Sequence, residues 1–357
     1  MKMINKSGLA KLGIRHPIIQ APMAGVSTPE LAAAISNAGA LGSIAVGAVN
    51  ADTARQLIQS TRALTDQPFN VNLFCHQQPQ RSTEVEQGWI ERLTPHFERF
   101  GANPPAELNE IYLSFLDDPN MLAVLLEEQP AVVSFHFGLP ETSWIKQLQN
   151  QGIVTLACVT SLSEAQLAIA AGVDALVAQG IEAGGHRGIF DAQQDSGLTT
   201  MDLVAQLISL VELPVIAAGG IMTGADIATA LQSGAAAVQM GTAFVLCPES
   251  SANAGYRANL GRGTAVNTEV TSAISGRPAR GIINRAHTEI EPHNRADIPD
   301  YPLTYDAMKQ LAAAAAAHGD EGYAAHWAGT GAALARPMPA AQLVETLASE
   351  LHASLKS

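Results

Sequence analysis

The sequence predicts an α/β fold, a (β/α)8 TIM barrel with a second, smaller α/β domain built from insertions. Two observations carry the barrel. Eight short apolar runs alternate with helical patterns between residues 18 and 242, as in strand–crossover–strand units around a parallel sheet. Eight is also the number of βα units at which such a series closes. A third observation weighs against the open doubly wound sheet, because no GxGxxG follows the first run and Gly219-Gly220 after the seventh is not that fingerprint.

The elements follow in order. The first run covers residues 18–22. Its helix starts at Ser27 or Thr28, with Pro29 in the first turn and Glu30 completing a capping box, and Gly39 ends it. The next run, 41–46, leads to a helix over 51–64 and then to a third run over 69–74. Residues 76–120 are longer, more polar and punctuated by proline, and read as an insertion. The rhythm resumes with a helix over 119–128 and runs at 132–137, 154–159, 175–179, 214–219 and 237–242. Ser161 with Glu164 caps one intervening helix, and another begins near Thr223. After Cys247 the pattern fails through a stretch rich in Gly, Asn, Arg and Pro. A helix over 304–317 follows, capped by Thr304. A last helix, 340–355, carries Leu343, Leu347 and Leu351 on one stripe that should pack back on the barrel. The expected division is 1–74, 119–249 and 334–357 for the barrel, and 75–118 with 250–333 for the second domain.

Composition limits the function. Hydrophobic residues make up 47% of the 357 and charged residues 15%, a well-buried globular balance. The formal net charge of −13 opposes binding to a phosphate backbone, and no Lys/Arg run overrides it, so nucleic acid is not an expected partner. Any site for a small anion must be locally positive. Cys75, Cys158 and Cys247 are far apart and show no metal-ligand spacing, so a metal is not expected and the thiols read as buried in a reducing compartment. The amino terminus has no apolar leader, and no apolar run reaches the ~20 residues a bilayer span needs. A cytoplasmic protein, a monomer or weak homodimer, is expected.

Active sites of such barrels lie at the carboxyl ends of the strands. That rule selects Ala21, Pro22, Met23, Asn72, His136, Gln179, Ala218, Gly219, Gly220, Gln239, Met240, Gly241 and Thr242. Gly219-Gly220 and Met240-Gly241-Thr242 would let backbone N–H groups approach a ligand closely, as in a phosphate cradle. The other reading is that these glycines only make tight turns. Residues 179–188 place Glu182, His186 and Arg187 among glycines, including Gly184 and Gly185, at a cost in backbone entropy. His186 could act as a base or a donor; the alternative is a histidine that caps its own loop. Tyr305 and Lys309 lie four apart on one helical face, with Tyr301 just before it. Two phenols and an ammonium suit a small carboxylate or nitro group, against the alternative of a solvated helix start. His76, His96, His318 and His352 read as surface or satisfied loop residues.

These motifs coincide with a known pattern. QAPMAGVSTPELAAAISNAGALGSIAVG (20–47), QPFNVNLFCH (67–76), EIYLSF (110–115), VVSFHFGLP (132–140), VAQGIEAGGHRG (177–188), AAGGI (217–221), QMGTAF (239–244) and YPLTYDAMK (301–309) resemble class I nitronate monooxygenase over nearly the whole chain. GGHRG alone marks a broader FMN-barrel superfamily; NLFCH, SFHFGLP and YPLTYD narrow it. The resemblance implies non-covalent FMN, held by the strand-end residues above with Gly184 and Gly185. It implies oxidation of a nitronate such as propionate 3-nitronate by O2, to a carbonyl compound and nitrite or nitrate, in detoxification. His186 becomes the active-site histidine, and Tyr112, His136, Tyr301, Tyr305 and Lys309 the substrate pocket, with Lys309 on the substrate carboxylate. The alternative is an FMN-dependent NAD(P)H:quinone reductase or enoyl-ACP reductase. A flavin-binding module without catalysis would not need His186 beside Tyr301, Tyr305 and Lys309.

Overall fold

The computed structural model describes residues 13–356. Eight strands form one parallel sheet in the order β1-β9-β8-β6-β5-β4-β3-β2. They are β1 (Ile18–Gln20), β2 (Gly42–Ala45), β3 (Phe69–Phe74), β4 (Val132–His136), β5 (Val154–Val159), β6 (Ala175–Gln179), β8 (Val215–Ala218) and β9 (Ala237–Met240). The sheet closes on itself. β1 pairs with β9, and on its other edge Leu41 N donates to Ile18 O while Gln20 N donates to Leu41 O, at 3.0 and 2.8 Å. Ile19, Leu41, Leu156, Val177 and Ile216 form one apolar cluster among the strands, and the second faces of the strands pack on the helices.

The predicted runs at 69–74, 154–159 and 175–179 match their strands in full. The runs at 18–22, 132–137 and 237–242 overshoot at their carboxyl ends by one or two residues, and those at 41–46 and 214–219 by one at each end; Ala21, Pro22, Gly219, Gly241 and Thr242 leave the ladder to line the barrel mouth. Helix α1 (Pro29–Asn37) is capped by Thr28, whose hydroxyl accepts from Leu31 N at 3.0 Å. The expected Ser27–Glu30 capping box does not form. The Ser27 hydroxyl instead accepts from Met23 N and Gln20 Nε2, which fixes the turn after β1. In α6 (Leu162–Ala171) Ser161 caps as expected, but the Glu164 carboxylate reaches Thr160 N rather than closing a box on Ser161. Helix α8 (Gly224–Gln232) has the full box, Thr223 with Asp226. The remaining outer helices are α2 (Ala51–Leu64), α4 (Pro119–Glu128), α5 (Thr142–Asn150) and α7 (Thr200–Leu210). Helix α12 (Ala340–Ser354) buries Leu343, Leu347 and Leu351 and packs against α8 and α1.

The first insertion contains a helix that the sequence reading missed, α3 (Thr83–Glu98), with Pro95 inside it. Ser82 caps it, and Trp89, Leu93 and Phe97 form its buried stripe. They cluster with Ile290, Leu303, Met308, Leu311 and Tyr323, apart from the barrel core. A short helix α9 (Thr242–Val245) follows β9, and α10 (Ala254–Leu260) follows it. A small antiparallel sheet joins β10 (Thr268–Thr271), β11 (Ala279–Ile282) and β7 (Gly185–His186). Helix α11 (Leu303–Ala316) begins one residue early. Thr304 is not its cap; its hydroxyl donates to Pro299 O at 2.7 Å inside the first turn. Among the described residues no helix is long and apolar enough to cross a membrane.

Candidate active site

A cavity of ≈ 600 Å³ opens at the carboxyl end of the barrel, a size that suits a cofactor with a small ligand. Every residue singled out for cofactor or substrate from the sequence lines it. The barrel side supplies Ala21, Pro22, Met23, Asn72, His136, Gln179, Ala218, Gly219, Gly220, Gln239, Met240, Gly241 and Thr242. The loop after β6 supplies Gly184, Gly185 and His186, and the insertions supply Tyr112, Tyr301, Tyr305 and Lys309.

The barrel wall is shaped by close approaches of backbone. Gly219 has φ +121° and Gly220 φ +72°, values that disfavour any side chain, and a Cβ on Gly219 would lie 2.7 Å from Thr200 Oγ1. That hydroxyl donates within reach of Ala218 O and Gly219 O and also of the Glu182 carboxylate, which holds the turn. Asn72 is placed by a buried polar chain: Ser134 Oγ donates to Asn72 Oδ1 at 2.8 Å and accepts from Asn70 Nδ2 at 3.0 Å. Thr242 Oγ1 accepts from Gly329 N at 3.0 Å, tying the barrel mouth to the loop that crosses it.

His186 is held from behind. Gln179 Nε2 donates to His186 O at 3.0 Å, and Gln179 Oε1 accepts from Gly188 N and Arg187 Nη1. Arg187 is fully buried and paired with Asp195 through two contacts of 2.7 and 3.0 Å. This clamp explains why the glycine-rich loop carries an arginine: it neutralises and satisfies a buried cation while fixing the backbone that aims the imidazole. The His186 ring packs among Phe137, Tyr301, Tyr305 and Trp327, at centroid distances of 5.2–6.1 Å. Its Nε2 is buried without a partner. Burial, with His136 and Arg277 nearby, lowers its pKa to about 3, so the imidazole is neutral near pH 7. His136 is likewise lowered to about 4 by burial, and its Nε2 lies 3.2 Å from His186 O.

Across the cavity the Lys309 ammonium donates to the Tyr112 hydroxyl and sits 5.0 and 5.3 Å from the Tyr112 and Tyr305 ring centroids. Burial pushes the Tyr112 and Tyr305 phenols up to about 12, so both remain protonated donors. Tyr301 is buried, with its hydroxyl unpaired. The site therefore offers a cation, phenols and a neutral imidazole around one small space, and backbone around the rest. Lys309 supplies the local positive charge that an acidic chain needs to receive an anion.

A model of the nitronate monooxygenase family matches residues 6–350. The chain belongs to the nitronate monooxygenase family. It is 58% identical over 350 residues to a nitronate monooxygenase of Paraburkholderia phytofirmans, covering 98% of this chain and 95% of that one. It is 56% identical over 342 residues to one of Pseudomonas aeruginosa, covering 96% and 97%. Among solved structures, a nitroalkane oxidase from Streptomyces ansochromogenes superposes with a TM-score of 0.88 at 39% identity, covering 98% of this chain and 99% of that one. This member of the nitronate monooxygenase family is thus a flavin oxidoreductase.

The cavity also holds residues that the sequence reading missed. Ala324, Ala325, His326, Trp327, Gly329 and Gly331 line it from one loop. A Cβ on Gly184 would lie 2.5 Å from Ala328 C and Gly329 N, so this loop packs backbone to backbone on the loop of His186. The pairing of two glycine-bearing loops 145 residues apart leaves no local signature. Two histidines read as surface or satisfied loop residues are buried instead, His76 in the loop after β3 and His96 on α3. His76 is 1% exposed, with its ring 4.9 Å from that of Tyr301, and burial lowers its pKa to about 4. His96 is buried on α3, with Nδ1 3.0 Å from the Tyr323 hydroxyl. The three cysteines are free and buried, and no cluster that could hold a metal occurs among the described residues.

Proposed function

We propose that the protein is a class I enzyme that oxidises small nitronates, propionate 3-nitronate among them, with O2 on a bound FMN. The products are the carbonyl compound and nitrite or nitrate, and the physiological role is detoxification in the cytoplasm. The observation that carries this reading is the unpaired, buried His186 Nε2 in the same small cavity as the Lys309–Tyr112–Tyr305 group.

The residues fit FMN. The positive-φ turn at Gly219-Gly220 and the side-chain-free Gly241 leave room for a phosphate against backbone N–H groups. Asn72 Oδ1 is taken by Ser134, which leaves the amide NH2 to donate to a ring carbonyl or nitrogen. Ala21, Pro22, Met23, Gln179, Gly184, Gly185, Ala218, Gln239, Met240 and Thr242 complete the holding wall. Bound FMN supplies the electron-accepting ring that reacts in turn with O2.

The chain's own residues do the rest. Lys309 binds the substrate carboxylate, with Tyr112 and Tyr305 donating beside it. Neutral His186 donates from Nε2 to an oxygen of the nitronate. With a neutral nitroalkane the same nitrogen is the group placed to accept the α-proton. His136, Tyr301 and the rings around them keep water from the reacting carbon. The insertions 75–118 and 250–333 act as a capping domain over the barrel formed by 1–74, 119–249 and 334–357. The protein works as a monomer or weak homodimer.

The test is oxygen uptake by the purified protein, with its visible spectrum, using propionate 3-nitronate and NADH in turn. Fast uptake with the nitronate and none with NADH, from a yellow protein whose released flavin is FMN, is expected. A protein reduced by NADH and indifferent to the nitronate would be a reductase instead.

A further inference from the structure

The aromatic layer behind His186 ends on a cation that no carboxylate neutralises. Arg277 is 6% exposed. One of its Nη atoms donates to Ile189 O, its Cζ lies 4.5 Å from the Phe137 ring centroid, and its Nε is buried without a partner. It forms no ion pair among the described residues. The two carboxylates whose charge reaches it are engaged elsewhere. Asp300 accepts from Gln80 N at 3.0 Å, and Glu164 accepts from Thr160 N and Phe190 N at 2.6 and 2.8 Å. Arg295, close by, adds like charge. Arg187, the other buried guanidinium of the site, is by contrast fully paired with Asp195.

The Phe137 ring that carries this cation also packs against two residues lining the cavity. Its φ is +74°, a left-handed value that a bulky residue rarely adopts. Its ring stands perpendicular to His186 at 5.4 Å and also 5.4 Å from Tyr301. His186 and Tyr301, which share that ring as a neighbour, each carry an unpaired buried polar atom, Nε2 and the hydroxyl. The cation and the orphaned polar atoms thus pack on one aromatic side chain. A buried charge without a counter-ion is costly, and strain held at such a place marks a site whose geometry matters. The cost is offset when an anion arrives beside the two orphaned polar atoms.

We propose that Arg277, stacked on the Phe137 ring, is the specificity-determining residue that makes this cavity favour nitronate anions over neutral nitroalkanes. The inference rests on the reading of the cavity as a nitronate site. Its positive charge attracts the anionic head of a nitronate. It also opposes the positive charge that His186 would gain by taking a proton from a nitroalkane, and the Lys309 ammonium across the cavity acts in the same sense. Lys309 selects the substrate's far carboxylate, so a substrate without a carboxylate isolates the effect of Arg277.

The experiment compares wild-type holoenzyme with Arg277→Met, Arg277→Gln and Arg277→Lys, using ethylnitronate and nitroethane and measuring kcat and KM separately by oxygen uptake. Removal of the charge in the Met and Gln variants should raise KM for ethylnitronate about 10-fold, the order expected of one charge at this range in a medium of intermediate dielectric. It should lower the ratio of kcat/KM values, nitronate over nitroalkane, by at least as much. The Lys variant should keep the ratio within about threefold of wild type, because the charge is retained. Loss that is equal for both substrates would make Arg277 merely structural and overturn the proposal. Gln keeps a donor for Ile189 O should Met fail to fold. Independently of any variant, nitroethane should inhibit wild-type turnover of ethylnitronate with a Ki at least about 10-fold above the ethylnitronate KM; a Ki equal to that KM would overturn the proposal. Wild type that consumes no nitronate at all would sink the earlier functional reading instead.

Discussion

The two walls of the cavity are built in opposite ways. The barrel wall offers backbone and small side chains, with Ala21, Gly219, Gly220 and Gly241 at its surface. The facing wall offers rings and a cation, Tyr112, Tyr301, Tyr305, Trp327 and Lys309. One wall holds by shape, since any added Cβ at Gly219 would collide. The other holds by chemistry, through donors that burial keeps protonated. The contrast teaches that shape and specificity sit on separate pieces of chain, so each can be altered with the other in place.

Acid should have the largest effect, and it acts on both walls. His76, His136, His186 and His326 have pKa values lowered to about 3–4 by burial. Each prefers its proton in the unfolded chain. Their contribution is therefore present above pH ~6.5 and is lost as pH falls toward 4, at up to ~1.4 kcal/mol per pH unit for each histidine that stays neutral. Thermal melts at pH 7 and pH 5 should show the loss, and an unchanged Tm would contradict it. Next in size, Trp89→Ala should cost ~3–5 kcal/mol in the insertion cluster. Denaturant titration followed by flavin absorbance and by far-UV dichroism should then show the cap unfolding while the barrel still holds flavin. A single coincident transition would mean that the walls are not separable.

Smaller effects test single groups. His186→Asn should lower kcat/KM by ~100-fold, the lower range for a positioned proton-handling group, with flavin content unaltered. Full turnover on both nitronates and nitroalkanes would remove it from the chemistry. Lys309→Met should raise KM for propionate 3-nitronate by ~10–100-fold, the worth of a hydrogen bond to a charged group, and leave alkyl nitronates little changed. An equal rise for both substrates would place the lysine in general packing rather than carboxylate recognition.

The same division governs what the sequence discloses. The barrel was legible because each strand is a compact apolar run and each turn has its own cap, as at Thr223 with Asp226. Strand ends at 20, 218 and 240 were overshot because the residues just beyond them stay apolar while they turn into the cavity. Lys309 and Tyr305 could be read as a pair because they share one helix. Helix α3 was hidden by Pro95 and a polar surround, although Trp89, Leu93 and Phe97 were its available signal. Arg277 and Trp327 gave none. Their partners, Ile189 and His186, are 88 and 141 residues away, and periodicity says nothing about such contacts.

The seam between β1 and β9 has a consequence for the birth of the molecule. Ile18–Gln20 finds its second neighbour only when Ala237–Met240 has been made. At ordinary synthesis rates that interval is about 10–40 s. Through it an apolar strand edge is open to any passing chain. The cell must therefore shelter a nascent protein whose finished barrel has no such edge, and yield in a heterologous host should follow chaperone supply more than final stability.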